Sequence, residues 1–187
     1  MQNHTGFTRK VFEEVGLFIN GPLEYILLFT SPNNKYVSIA PFNPKNKEKG
    51  KELVRKLHDR LPGLKVNFFG SSALEVPGRG DIDLVAECKP QDFDKYLPWL
   101  TEMFGRPVKT TKRLIGWDFK HKGVDVELIL IDPTYKLFRW YFNAFYTLSK
   151  KEVKEKYIKL KFESDGISIR EYEKRKLKFF RDLGIND

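Results

Sequence analysis

Residues 65–86 constrain this chain more than any other stretch. The segment Lys65-Val66-Asn67-Phe68-Phe69 reads as a short strand, and it runs directly into Gly70-Ser71-Ser72. Nine residues, 72 through 80, then separate Ser71 from Asp81-Ile82-Asp83-Leu84, where a second strand begins and continues to Ala86. A strand that ends in Gly-Ser is expected to lead into a short helix whose first N–H groups point at an anion. Gly70 would let a phosphate approach the backbone closely. Asp81 and Asp83 are two apart on a strand, so their side chains share a face. Two carboxylates on one face are costly without a counter-charge. Paired divalent cations use that arrangement to hold a polyphosphate for in-line attack.

A third carboxylate is expected from a neighbouring strand. Gly123-Val124-Asp125-Val126-Glu127-Leu128 alternates strictly, so Asp125 and Glu127 lie on one face and the valines and leucine on the other. Glu127 is the favoured ligand because it sits deeper in the strand, and Asp125 is the alternative. A hairpin with one solvated face would also place both acids in water.

Charge follows the same division. The chain of 187 residues carries 34 Lys and Arg against 25 Asp and Glu, a net charge of +9. Residues 1–80 hold 12 basic and 7 acidic side chains, residues 81–149 hold 10 of each, and residues 150–187 hold 12 and 8. A neutral, carboxylate-bearing centre therefore lies between two basic flanks, which suits a metal site beside an anion-binding surface. The single cysteine, Cys88, excludes an internal disulfide and a multi-thiolate metal site. His4, His58 and His121 have no metal-ligand spacing. No apolar run is long enough to span a bilayer, and residues 1–9 lack a signal-peptide core. The expectation is a soluble, cytoplasmic protein with no membrane partner.

The rest of the chain predicts a helix over 8–18, then strands over 23–30 and 36–39 around the turn Ser31-Pro32-Asn33-Asn34. Asn43-Pro44 opens a helix to about Leu61, with Leu53, Val54, Leu57 and Leu61 as its apolar stripe. A helix over 91–104 carries Pro98 as a weak point. Strands over 114–120 and 124–131 form a hairpin across His121-Lys122-Gly123, and residues beyond Thr134 are helical. This order predicts an α/β (α+β) fold, a small mixed β-sheet flanked by helices, with the C-terminal helices packed against it. In those helices Lys161 and Lys176 interrupt the apolar stripes. Either they reach the phosphate site, or their stems pack while the ammoniums reach water. Arg79, beside Gly80, is either a phosphate contact or a solvated loop arginine.

Gly70-Ser71, Asp81-Ile82-Asp83 and a later apolar-Glu-apolar strand together resemble the nucleotidyltransferase superfamily, which includes polymerase-beta-like and CCA-adding enzymes. A closer resemblance, to the GrpB-like family, covers about 145 residues. It rests on Ile39-Ala40-Pro41-Phe42-Asn43-Pro44, on Phe69-Gly70-Ser71-Ser72-Ala73 and on Val76-Pro77-Gly78. It continues through Arg139-Trp140-Tyr141-Phe142, Tyr157 with Leu160-Lys161, and Tyr172 with Lys176, Phe179 and Phe180. Leu74-Glu75 is an insertion relative to that pattern, and both Asp81 and Asp83 are present where many relatives carry one clear aspartate.

The resemblance implies a nucleotidyltransferase-type sheet over 37–187, with 1–36 as an N-terminal extension packed on it. It implies transfer of NMP from an NTP to a hydroxyl acceptor with release of pyrophosphate. Asp81, Asp83 and Glu127 would be the catalytic residues, and with Asp125 they would hold Mg²⁺ or Mn²⁺. Gly70, Ser71, Ser72, Arg79, Lys161 and Lys176 would bind the nucleotide. The expected partners are a nucleoside triphosphate and an RNA or small-molecule acceptor. The rival expectation is a nucleotide- or RNA-binding protein of the same fold without transfer activity.

Overall fold

Asn43 starts the first helix of the described chain. Its side chain accepts from the Lys45 N–H, and Pro44 occupies the first turn, where its missing donor is harmless. Helix α1 (Pro44–Arg60) buries Leu53 and Leu57, and Leu61 follows at its C-terminal end. The structure, a computed structural model, describes residues 35–185; the helix expected over 8–18 and the strand over 23–30 lie outside the described residues.

After α1 come β1 (Lys65–Phe69), a one-turn helix α2 (Gly70–Leu74) and β2 (Ile82–Glu87). A 3₁₀ turn at Pro90–Asp92 leads into α3 (Phe93–Phe104). Pro98 lies inside α3 on its exposed side, so the carbonyl it leaves unpaired faces water. The short strand β3 (Lys109–Thr110) was not expected from the sequence. It precedes β4 (Leu114–His121) and β5 (Val124–Ile131), joined by the two-residue turn Lys122-Gly123. Helices α4 (Lys136–Leu148), α5 (Lys151–Phe162) and α6 (Ile169–Asp182) complete the order.

The five strands form one mixed sheet in the order β1-β2-β5-β4-β3. β2 and β5 are parallel, and every other neighbouring pair is antiparallel. The expected small mixed sheet flanked by helices is the observed architecture. One face is fully covered by α1 and α3, where Leu53, Leu57 and Leu100 meet Ile82, Leu84, Trp117, Leu128 and Leu130. The other face is covered only in part. Helix α4 seats Leu137, Phe138, Phe142 and Phe145 against Phe69, Val85, Ile129 and Ile131.

β5 records where that cover stops. Along its α4 face Asp125 and Glu127 reach solvent, while Ile129 and Ile131 are buried. β2 runs parallel beside it, with Asp83 opposite Glu127 and Val85 opposite Ile129. The carboxylates thus occupy the uncovered end of a sheet face whose other end is core.

Residues 36–39 do not join the sheet. They form an extended strap with isolated bridges, Tyr36 to Ser168 and Ala40 to Gly78. The Ile39 N–H is taken by the Asp165 carboxylate at 2.8 Å, and Pro41 has no N–H to offer, so no ladder can propagate. Among the described residues no helix is long and apolar enough to cross a membrane.

Candidate active site

The site is a cleft between the uncovered sheet end and helices α4, α5 and α6. Its volume is about 370 Å³, within the range of small-ligand pockets. Gly70, Ser71, Arg79, Asp81, Asp83, Glu127, Lys161 and Lys176 all line it. Eight of the ten expected site residues therefore meet in one place, although 106 positions of chain separate the first from the last.

Gly70 is required here for a reason other than the one its sequence suggests. It takes φ +74°, and a Cβ on it would lie 1.6 Å from Asp83 Oδ2. The group that approaches its backbone in this structure is the Asp83 carboxylate, because Phe69 pairs with Asp83 across β1 and β2. Gly78 is similar, since a Cβ there would meet the Ser71 side chain at 2.6 Å. The loop before β2 thus presses directly on Ser71.

Helix α2 has only five residues, too short for its dipole to bind an anion by itself. The side chains around it make the positive end of the cleft. Lys161 is 3% exposed. Its ammonium donates to Ser71 Oγ at 2.8 Å and to the Tyr172 hydroxyl at 3.1 Å, over the Tyr157 ring. It has no carboxylate partner among the described residues, and burial lowers its pKa. Lys176 is held by Glu173 at 3.0 Å. Burial opposes its charge, but Glu173 together with Tyr157 and Tyr172 outweighs burial, and its pKa is raised.

Ser72 does not face the cleft. It is buried, and its hydroxyl donates to the Asp81 carbonyl at 2.7 Å, which fixes the start of β2. Asp125 also lies outside. Its carboxylate is exposed and paired to Lys120 at 2.7 Å, one step further out on the same strand face as Glu127. Arg79 donates to Asp81 at 2.6 Å while its side chain stays exposed, so the arginine rests on a carboxylate at the solvent edge of the cleft.

Asp83 and Glu127 stand opposite each other on adjacent parallel strands. Burial, then the Asp81 and Glu127 charges, push Asp83 up to about 7. Burial and the neighbouring Asp118 carboxylate raise Glu127 as well. Glu127 keeps solvent contact at the floor of the cleft while protein walls surround it.

Among the described residues no group of three or more His, Cys, Asp or Glu side chains is gathered as a metal-ligand set. The expected set of Asp81, Asp83, Glu127 and Asp125 is therefore not preassembled, with Asp81 on Arg79 and Asp125 on Lys120. The donor chemistry still fits a hard cation. The cleft carboxylates are all oxygen donors, and the Asp83–Glu127 pair repels itself without a positive charge between them.

Sequence reasoning missed three contributors. Asp118 pairs with Glu127 across β4 and β5; the turn holds two residues, Lys122-Gly123, where the sequence suggested three, and that one-residue difference brings Asp118 instead of Trp117 opposite Glu127. Glu173 has only its helical spacing from Lys176 to mark it. Tyr141 falls within the sheet-facing stripe of α4 and looks like core, yet it lines the cleft.

No family model matches the chain, and no curated protein matches it. The GrpB-like resemblance accordingly rests on the residues that carry it. Similar solved structures include a STING-associated CdnE c-di-GMP synthase from Capnocytophaga granulosa, 22% identical over 66% of this chain and 42% of that one, with a TM-score of 0.37. Two structures of Leishmania infantum polymerase beta, a ternary P/T complex and a ternary gap complex, are each 13% identical over 79% of this chain, with a TM-score of 0.38. The chain spans 61% and 54% of those two. It therefore covers roughly half the length of the structures it is similar to.

Proposed function

We propose that the protein is a nucleotidyltransferase that moves NMP from an NTP to a hydroxyl acceptor. One observation carries this reading: the same cleft holds a facing carboxylate pair, Asp83 and Glu127, and a buried, carboxylate-free lysine, Lys161, on Ser71. A single ligand that is anionic at one end and cation-bound beside it matches both features, and a metal-bound triphosphate has that form.

In this reading Lys161 and the Ser71 hydroxyl bind the β- and γ-phosphates. Ser71 accepts from Lys161, so its own O–H is left to donate. Lys176 and Arg79 add positive charge to the same wall. Asp81, Asp83 and Glu127 would hold Mg²⁺ or Mn²⁺, which when bound screens charge on the attacking and leaving oxygens. The acceptor oxygen forms a bond to the α-phosphorus, and the bond from that phosphorus to the bridging oxygen of the β-phosphate breaks. The acceptor proton passes to a carboxylate of the cluster, and pyrophosphate leaves with both electrons of the broken bond. Arg79 must release Asp81 before that carboxylate can serve. The acceptor is an RNA end or a small hydroxylated molecule.

The Arg79–Asp81 pair also favours a second reading, a nucleotide- or RNA-binding protein in which the carboxylates stay neutralised by the arginine and no transfer occurs. One assay separates the two. Purified protein is incubated with labelled NTPs, Mg²⁺ or Mn²⁺, and RNA or polyol acceptors. Label transfer that EDTA abolishes, and that Asp81→Ala and Asp83→Ala each reduce at least a hundredfold with folding intact, is the expected result. Nucleotide binding that is indifferent to Mg²⁺, with no transfer, supports the second reading.

A further inference from the structure

Helix α4 presents Leu137, Phe138, Tyr141, Phe142 and Phe145 to the partly covered sheet face. In that row the Tyr141 hydroxyl is the one polar side-chain group. Its ring is fixed: it stacks on Phe69 with centroids 6.3 Å apart at 22°, and the Trp140 ring meets it edge-on at 5.7 Å. Phe69 immediately precedes Gly70 and pairs with Asp83, so the ring is braced on the residue that positions the carboxylates. Tyr141 itself lines the cleft. Among the described residues nothing hydrogen-bonds to its hydroxyl. Burial, then the Glu127 and Asp83 charges, raise its pKa and keep it a neutral phenol.

We propose that the Tyr141 hydroxyl binds a hydroxyl of the nucleotide's ribose, the 2′ or the 3′, so that the site binds a ribonucleotide more tightly than the analogue lacking that hydroxyl. The inference rests on the nucleotidyl-transfer reading above. A phenol can donate one hydrogen bond and accept others, as an alcohol can, so the two are matched partners. The order of groups along a nucleotide agrees. With the β- and γ-phosphates on Ser71 and Lys161, the α-phosphate falls at the carboxylates. The sugar is the next group, within reach of α4.

Tyr141→Phe keeps the ring on Phe69 and deletes only the hydroxyl, so the thermal midpoint should change little. Binding is measured by calorimetry in Mg²⁺ with α,β-methylene analogues of the four ribonucleoside triphosphates, with their 2′-deoxy and 3′-deoxy counterparts, and with inorganic tripolyphosphate. The wild type should bind one ribonucleotide analogue about five- to tenfold more tightly than one of its deoxy counterparts, the size of one neutral hydrogen bond. Tyr141→Phe should abolish that difference by weakening the ribonucleotide alone, with the deoxy form and tripolyphosphate unchanged. Equal affinities of the wild type for ribo and deoxy forms overturn the proposal, as does a variant that weakens both forms alike. If the wild type binds neither the nucleotides nor tripolyphosphate, the nucleotidyl-transfer reading falls first and this inference with it.

Discussion

Asp83 concentrates the tension of the site. Its carboxylate faces Glu127, presses on the Gly70 backbone and lies two residues from Asp81. Its pKa stands at about 7 in the folded protein, well above that of an ordinary aspartate. A raised folded pKa means that the folded state binds the proton more tightly than the unfolded chain does. Its contribution to stability is therefore fully present below about pH 4 and is lost as the pH rises through 7. Asp83→Asn removes the charge and keeps the shape. In EDTA at pH 8 the variant should be more stable than the wild type by about 1–3 kcal/mol, and near pH 4 the difference should vanish. Thermal melts at the two pH values check this. A variant that is less stable at pH 8 would show that the carboxylate is held by groups that favour its charge.

At the scale of elements, the site depends on the loop between α2 and β2 more than on either element. That loop is held at three points. Ala40 and Gly78 exchange backbone hydrogen bonds at 2.9 and 3.0 Å. Ser72 anchors the Asp81 carbonyl, and the Asn46 side chain, from the first turns of α1, donates to the Gly80 carbonyl at 2.7 Å. Arg79 sits between these anchors, so its backbone is fixed while its exposed side chain has room to leave Asp81. Asn46→Ala frees the Gly80 carbonyl and should cost about 1 kcal/mol in a denaturant titration. It should also lower the proposed nucleotidyl transfer, since Asp81 follows Gly80 directly. Loss of stability with full activity would show that the loop holds its shape without α1.

Across the whole molecule, the two walls of the cleft come from distant parts of the chain and are tied by the strap at 35–40. Val37 exchanges hydrogen bonds with the α5–α6 connection at 166–167, Ile39 donates to Asp165, and Ala40 reaches Gly78 on the opposite wall. Val37 and Ile39 pack with Tyr172, which in turn holds Lys161. Asp165→Ala should lower amide-exchange protection at Ile39, and at Val37 and Gly78 through the strap that joins them, with little change in global stability. Protection lost at Ile39 alone would mean that the strap does not couple the walls.

Much of the fold and half of the site logic are legible in the residue pattern. The alternation of Val124-Asp125-Val126-Glu127 followed by the unbroken Leu128-Ile129-Leu130-Ile131 marks where a helix begins to cover the sheet face, because residues on that face turn apolar only where something lies over them. Gly-Ser ahead of Asp-x-Asp marks the same end of the sheet. Local pattern determined the helix at 44–60, the hairpin and the same-face spacing of Asp81 with Asp83 and of Asp125 with Glu127, since each depends on neighbours a few residues away. Only the tertiary structure decided which acids share the cleft, that Ser72 turns inward to the Asp81 carbonyl, that Asp125 pairs outward with Lys120, and that the strap at 36–39 pairs outside the sheet. It also decided that Lys161, 90 residues from Ser71, donates to its hydroxyl, and that Tyr141 brings a hydroxyl to the carboxylates. These outcomes depend on contacts between distant segments. Spacing along a chain tells which face a side chain takes on its own element, and the packing of one element on another decides what that face meets.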